Sequence, residues 1–232
     1  MVAISEKSHY ESVIGAQDIE LVGEAEELFL QQYKTIASKY GLESRLGIYV
    51  PHRHVPIRKG EVFAHVNLGN GRRMCLPTPY RGEHLVANHF RFVKSADSPT
   101  LIAEEFQSDL EAVDPLNPIE EAFIIEEVLP LLTKHGMEDR LGVFLLEDQA
   151  DPTTYWFESV DEESRTMHMV RLSRNDEDFN ARYATHFRVD MQKTDMNLAE
   201  MAHMACKPMC DRDVSVSLGT MAYLACKPMC DR

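Results

Sequence analysis

The sequence predicts an α+β protein: a helix followed by an antiparallel meander, present twice about a pseudo-twofold axis, with a flexible Cys/Met-rich C-terminal tail. Three observations predict this. "SKYGLESRLGIYV" (38–50) aligns with "TKHGMEDRLGVFL" (133–145), and "VANHFRFV" (86–93) with "RYATHFRVD" (182–190), in the same order. Each copy opens on an apolar pattern of helical period and continues in short runs rich in β-branched and aromatic residues. The chain then ends with ACKPMCDR written twice, at 205–212 and 225–232.

In the first copy, "AEELFLQQYKTIASKYG" places Leu28, Leu30, Tyr33, Ile36 and Ala37 on one side of a helix, and Gly41 stands where a C-cap belongs. The runs "LGIYV", "EVFAHVN", "RRMCLP" and "HLVANHFRFV" read as strands, with "NLGNG" (67–71) as a turn. The segment 95–118 joins the copies, and "TLIAEEFQSDLEAV" inside it reads as a helix of its own. The second copy repeats the plan. "IEEAFIIEEVLPLLTKHG" is helical, with Pro130 predicting a kink or split and Gly136 a cap. "GVFLL", "TYWFESV", "TMHMVRL" and "ARYATHFRVD" follow as strands. The expected organisation is residues 1–94 as first unit, 95–118 as linker, 119–190 as second unit and 191–232 as thiol-rich tail.

Composition narrows the function classes. A net charge of −14 argues against a nucleic-acid partner, because phosphate neutralisation needs a cationic face. No apolar run is long enough for a membrane span, and the N-terminus lacks a basic region followed by an apolar core. A cytoplasmic location is expected, where thiols stay reduced. Between Pro51 and Lys94, eight Lys or Arg stand against Glu61 and Glu83. Such a strip could hold an anion or dock on the acidic remainder.

The thiols are the sharpest chemical signal. From Met191 onward lie seven of the 12 methionines and four of the five cysteines. Thiolate and thioether are soft donors, so Cys206, Cys210, Cys226 and Cys230, with Met209 and Met229, are candidate ligands for a soft ion, Cu(I) or Zn(II). The same paired CxxxC motifs could instead cycle as dithiols, with a redox or modifying enzyme acting on the tail. The spacing C-x3-C, fifteen residues, C-x3-C is similar to that of the small mitochondrial Tim chaperones, although "DVSVSLGT" and the prolines here oppose the helices of that family. Near-identical C-terminal segments behind a folded leader also resemble multi-core ribosomal peptide precursors.

A second candidate site comes from histidines that the copies do not share. His52 and His54 are two apart, so on extended chain both rings point to one side, and His65 lies on the next strand. Three imidazoles suit a catalytic metal with an open position, which would make the protein a metal-dependent enzyme with its site in the groove between the units. His84 is a further possible member. His89 and His186 occupy matching places and read as structural, and Cys75 reads as a small buried hydrophobe. The sequence shows no G-x-S-x-G elbow, phosphate-cradling loop or dinucleotide fingerprint.

Overall fold

In the computed structural model, residues 2–5, 7–20, 22–81, 84–94, 99–108, 114–146, 153–173, 184–189 and 198–205 are described. The N-terminal segment gives β1 (Ala3–Ile4), α1 (Lys7–Glu11) and a 3-10 turn (Ala16–Asp18). Helix α2 (Glu24–Tyr40) is followed by β2 (Leu46–Tyr49), β3 (Glu61–Gly69), β4 (Arg72–Pro79), β5 (Val86–Val93) and β6 (Thr100–Gln107). A broken helix follows: α3 (Pro118–Phe123), a π-helical turn (Ile124–Val128) and α4 (Leu129–His135). Then come β7 (Gly142–Leu145), β8 (Thr154–Asp161), β9 (Thr166–Ser173), β10 (Ala184–Phe187), α5 (Leu198–Met201) and β11 (Ala202–Ala205).

Ten of these strands close on themselves in the order β6-β3-β4-β9-β8-β11-β10-β2-β7-β5, and β5 pairs back to β6. The fold is therefore a mostly β closed barrel with few helices, and the expected α+β helix–meander units are overturned. The strands do not meander within each half. β2 leaves its own half to pair with β7 and β10, while β6 and β11 run parallel to β3 and β8.

Two strands were hidden from the sequence reading for one reason. β6 carries the segment expected as a linker helix, and it is buried along almost its whole length. A strand covered on both faces loses its alternation and cannot be told from a buried helix by period. β11 lies in the segment expected as tail, yet all four of its residues are buried in the barrel wall.

The helices pack on the outside of the wall. Phe29, Tyr33, Phe123 and Leu132 form one apolar cluster with Ile48, Phe90 and Val143 from the strands, and the Tyr33 hydroxyl donates to the Leu46 carbonyl at 3.0 Å. The inner face of the barrel is the lumen. Phe63, Cys75, Trp156, Met167, Met169 and Met204 cluster there with Tyr10 from α1. Pro130, which has no N–H to give, lies two residues past the π turn, so the expected irregularity is a locally widened helix that continues to Gly136.

Two glycines let β2 and β7 approach. Gly47 faces Phe144 and Gly142 faces Tyr49. A Cβ on Gly47 would meet the Phe144 ring at 2.3 Å, and one on Gly142 would meet the Tyr49 ring at 2.3 Å. Ion pairs cross between the halves in the same reciprocal way. Arg45 reaches Glu120 at 2.8 Å and Arg140 reaches Glu26 at 2.7 Å. Each glutamate also accepts from the backbone N–H at its own helix start, Glu120 from Asn117 and Glu26 from Gly23.

Candidate metal centre

Strand alternation fills the lumen with ligand-type side chains. On β3, Phe63 and His65 point inward, and His65 stands directly opposite Cys75 of β4. β6 lies parallel on the other side of β3 and contributes Glu105, whose register partner is Phe63. β5 brings His89, β10 His186, β11 His203 and β8 Glu158, all buried. His52 and His54 come from the loop between β2 and β3, which folds inward with Pro51, Val55 and Ile57 buried.

His52, His54 and Glu158 form the first grouping, their ligand atoms all within 4.8 Å of one another. The Nε2 atoms of His52 and His54 lie 3.4 and 3.6 Å from the same Glu158 Oε2. The His52 Nδ1 sits 2.7 Å from the Val50 carbonyl, which can only accept, so Nδ1 carries the proton. In the neutral ring Nε2 is then a bare lone pair aimed at a carboxylate. Only a proton or a cation makes that arrangement favourable. Two ligands about 2.0–2.1 Å from one tetrahedral ion lie roughly 3.3 Å apart, which these separations match.

His65, Cys75 and Glu105 form the second grouping, on three adjacent strands. His65 Nε2 lies 2.6 Å from Glu105 Oε2, and His89 Nδ1 lies 3.6 Å from the same oxygen. Beyond it, His89 and His186 meet Nε2 to Nε2 at 2.8 Å, so the two matched histidines bond each other. The Phe144 ring stacks on His203 at 5.7 Å between centroids.

Burial and mutual charge set the protonation. Desolvation, reinforced by the neighbouring His52, pushes His54 down to about 4. Desolvation also takes His89 down to about 4, against the pull of Glu105, and holds His186 well below its usual range. Burial alone would raise both carboxyls, but imidazole charge and hydrogen bonds outweigh it. Glu105 is held at about 2 by His89 and His65, and Glu158 is lowered by its bond to His52 and by His54. Burial lifts the Cys75 thiol well above its usual range, with Glu105 and Glu158 adding to the effect. Around neutrality His54 is thus neutral and Glu158 ionised, the states a metal ion takes as ligands.

Of the residues singled out from sequence, His52 and His54 meet at Glu158 inside the barrel and not in a groove between units, whereas His65 belongs to the second grouping, with Cys75 and Glu105. His84 lies exposed in a left-handed turn outside the cluster. Cys206, Cys210, Cys226, Cys230, Met209 and Met229 lie outside the described residues. The cationic strip is dispersed: Arg91 pairs with buried Glu104, Lys94 with Asp139, and Arg73 covers the Trp156 ring. Glu158, Glu105 and Cys75 were missed as site residues. Glu158 had a legible signal, an acid among the apolar residues of "TYWFESV", whereas Glu105 was concealed by the helix reading of its strand. Among the described residues no helix is long and apolar enough to cross a membrane. The chain matches no protein-family model, and no curated protein or solved structure is significantly similar to it.

Proposed function

We propose that this barrel is a metal-dependent enzyme whose centre at His52, His54 and Glu158 holds a divalent first-row transition ion and offers its open positions to a small substrate. Two imidazoles and one carboxylate leave such positions, as catalytic sites do and closed structural sites do not. The observation that carries the reading is the fixed His52 tautomer, with the Nε2 atoms of His52 and His54 both within 3.6 Å of one carboxylate oxygen. The ion would supply Lewis acidity. The chain supplies neutral imidazoles, an ionised carboxylate and an apolar wall. A cytoplasmic setting suits it, since Cys75 in the same lumen is a free thiol.

The test is Zn(II) binding by calorimetry to full-length protein in which all four tail cysteines are changed to Ser. Binding should persist there and weaken by about a hundredfold or more in Glu158→Ala or His54→Ala, since even outer-shell partners cost about 10–100-fold. Unchanged affinity in both variants would overturn the reading.

A second reading keeps the tail as the working part, a soft-metal or thiol-redox arm, or a peptide processed by a modifying enzyme. It is favoured by the pairing at the end of β11. Ala205 pairs with Phe157, next to Glu158, and Cys206 is the following residue. Loss of all metal binding in the tail-serine protein would favour it.

A further inference from the structure

We infer that a second metal ion binds at His65, Cys75 and Glu105, making the lumen a two-ion centre. The description as a two-ion centre rests on the reading above; the thiolate position itself does not. Three different donors come from three adjacent strands, β4, β3 and β6, on the lumen face. Strands hold ligands more firmly than loops do, so this site is the more rigid of the two.

A buried cysteine by itself is a small hydrophobe, and a slot for a hydrophobe has no reason to hold an imidazole nitrogen and a carboxylate oxygen within 4.8 Å of the sulfur. Glu105 is a carboxylate deep in the wall, and taking its charge out of water costs several kcal/mol, by rough estimate, unless cations are near. Among the described residues, the groups set against its carboxylate are imidazoles: His65 at 2.6 Å and His89 at 3.6 Å. A further polar group is left over beside them. Gln107 shares its face of β6 with Glu105, pairs in register with His65, is 1% exposed, and neither its amide nitrogen nor its oxygen has a hydrogen-bond partner among the described residues. A metal ion and its remaining ligands would complete that corner.

Nitrogen, sulfur and oxygen donors together select Zn(II), Co(II) or Fe(II) over Mg(II) or Ca(II). Binding is a proton exchange without redox. The Cys75 S–H bond breaks, its electron pair goes to the metal as thiolate, and the proton leaves to solvent. The proton held between His65 Nε2 and Glu105 Oε2 also leaves, to His65 Nδ1 or to solvent, so that each atom can give a lone pair to the ion.

The test uses Co(II), whose thiolate complexes absorb strongly in the near ultraviolet by charge transfer. Full-length protein with the four tail cysteines as Ser is stripped of metal and titrated. Two Co(II) per chain are expected, with a thiolate band and release of protons. Cys75→Ser, a near-isostere, should abolish the band and leave one ion. His54→Ala should keep the band and also leave one ion. Co(II) bound without a thiolate band overturns the second position and leaves the first standing. A single ion whose band survives His54→Ala and dies in Cys75→Ser overturns the first and keeps the second. Should Cys75→Ser fail to fold, the presence or absence of the band in the parent protein decides.

Discussion

In the first half of the chain the inward pair of the long hairpin is His65–Cys75, across β3 and β4; in the second half it is Glu158–Met169, across β8 and β9. Elsewhere the halves agree closely. Gly47 and Gly142 each make room for the ring opposite, and Arg45 and Arg140 each reach to the other half's glutamate. The difference has a physical reason. Packing can be satisfied twice by the same residues, because each copy meets the other's equivalent surface. An ion needs several donors converging on one point, which matched residues supply only where the two copies meet. His89 and His186 show what matched residues do when they meet: they bond each other and hold their neighbours apart from water. The unmatched residues include the two histidines and the glutamate proposed to hold the ion.

The largest expected effect tests the lumen. In metal-free protein His54 and His89 take up protons at about 4, against 6.5 in an unfolded chain. Between those values the unfolded state binds more protons, so stability falls as pH drops from 6.5 to about 4. The two imidazoles contribute on the order of 3 kcal/mol each across that window. Glu105 extends the loss downward from 4.5 to about 2, since its depressed carboxyl must also be protonated. Glu104, raised chiefly by burial, binds its proton in the folded state above 4.5, so it opposes the histidines in that upper range and leaves the Glu105 range below 4.5 untouched. Thermal midpoints of the metal-free protein measured across this range should fall steadily. If His54→Gln with His89→Gln leaves the slope unchanged, the buried imidazoles are not its source.

The next effect tests the frame. Gly47→Ala places a methyl group 2.7 Å from the Phe187 carbonyl as well as against the Phe144 ring, and Gly142→Ala one 2.6 Å from the Phe90 carbonyl. Backbone cannot swing aside as a side chain can, so each should cost about 3 kcal/mol. Chemical denaturation should give nearly equal losses for the two. Markedly unequal losses would show that the halves do not share one packing solution at β2 and β7.

How much of this was legible follows the same division. The frame was partly written in the repeats: Gly41 and Gly136 cap their helices in left-handed conformation, as their position predicted. Most strands were legible through alternation, but their order was not. Pairing of β2 with β7 and β10 is a long-range event, and nothing local in "LGIYV" reveals which strand it joins. Two of the ten barrel strands carried no alternation, and without β6 and β11 a closed ring could not be drawn. The site suffered most from this. His52, His54 and His65 were visible because three imidazoles in one region are uncommon, whereas Glu105 sat in a segment assigned to the wrong element. The tail thiols were the loudest signal in the sequence, yet the two groupings of candidate ligands in the barrel form without them.

The smallest effect separates two interactions that the halves share in form but not in setting. Arg45 is mostly shielded, with its side chain 22% exposed, and besides Glu120 it donates to the carbonyls of Asp114 and Pro115. Arg140 is half exposed and also touches Glu20 on the surface. Removing Arg45 strips the buried Glu120 of its cation, while water replaces the donor at the exposed Asp114 and Pro115 carbonyls, so Arg45→Ala should cost about 2 kcal/mol. In Arg140→Ala, water reaches the vacated side of the pair, and the loss should stay below about 1 kcal/mol. The asymmetry should persist at high salt, which screens the Arg140 pair more than the Arg45 pair. Equal losses at low salt that both vanish at high salt would place the two pairs in the same solvent environment and remove this difference between the halves.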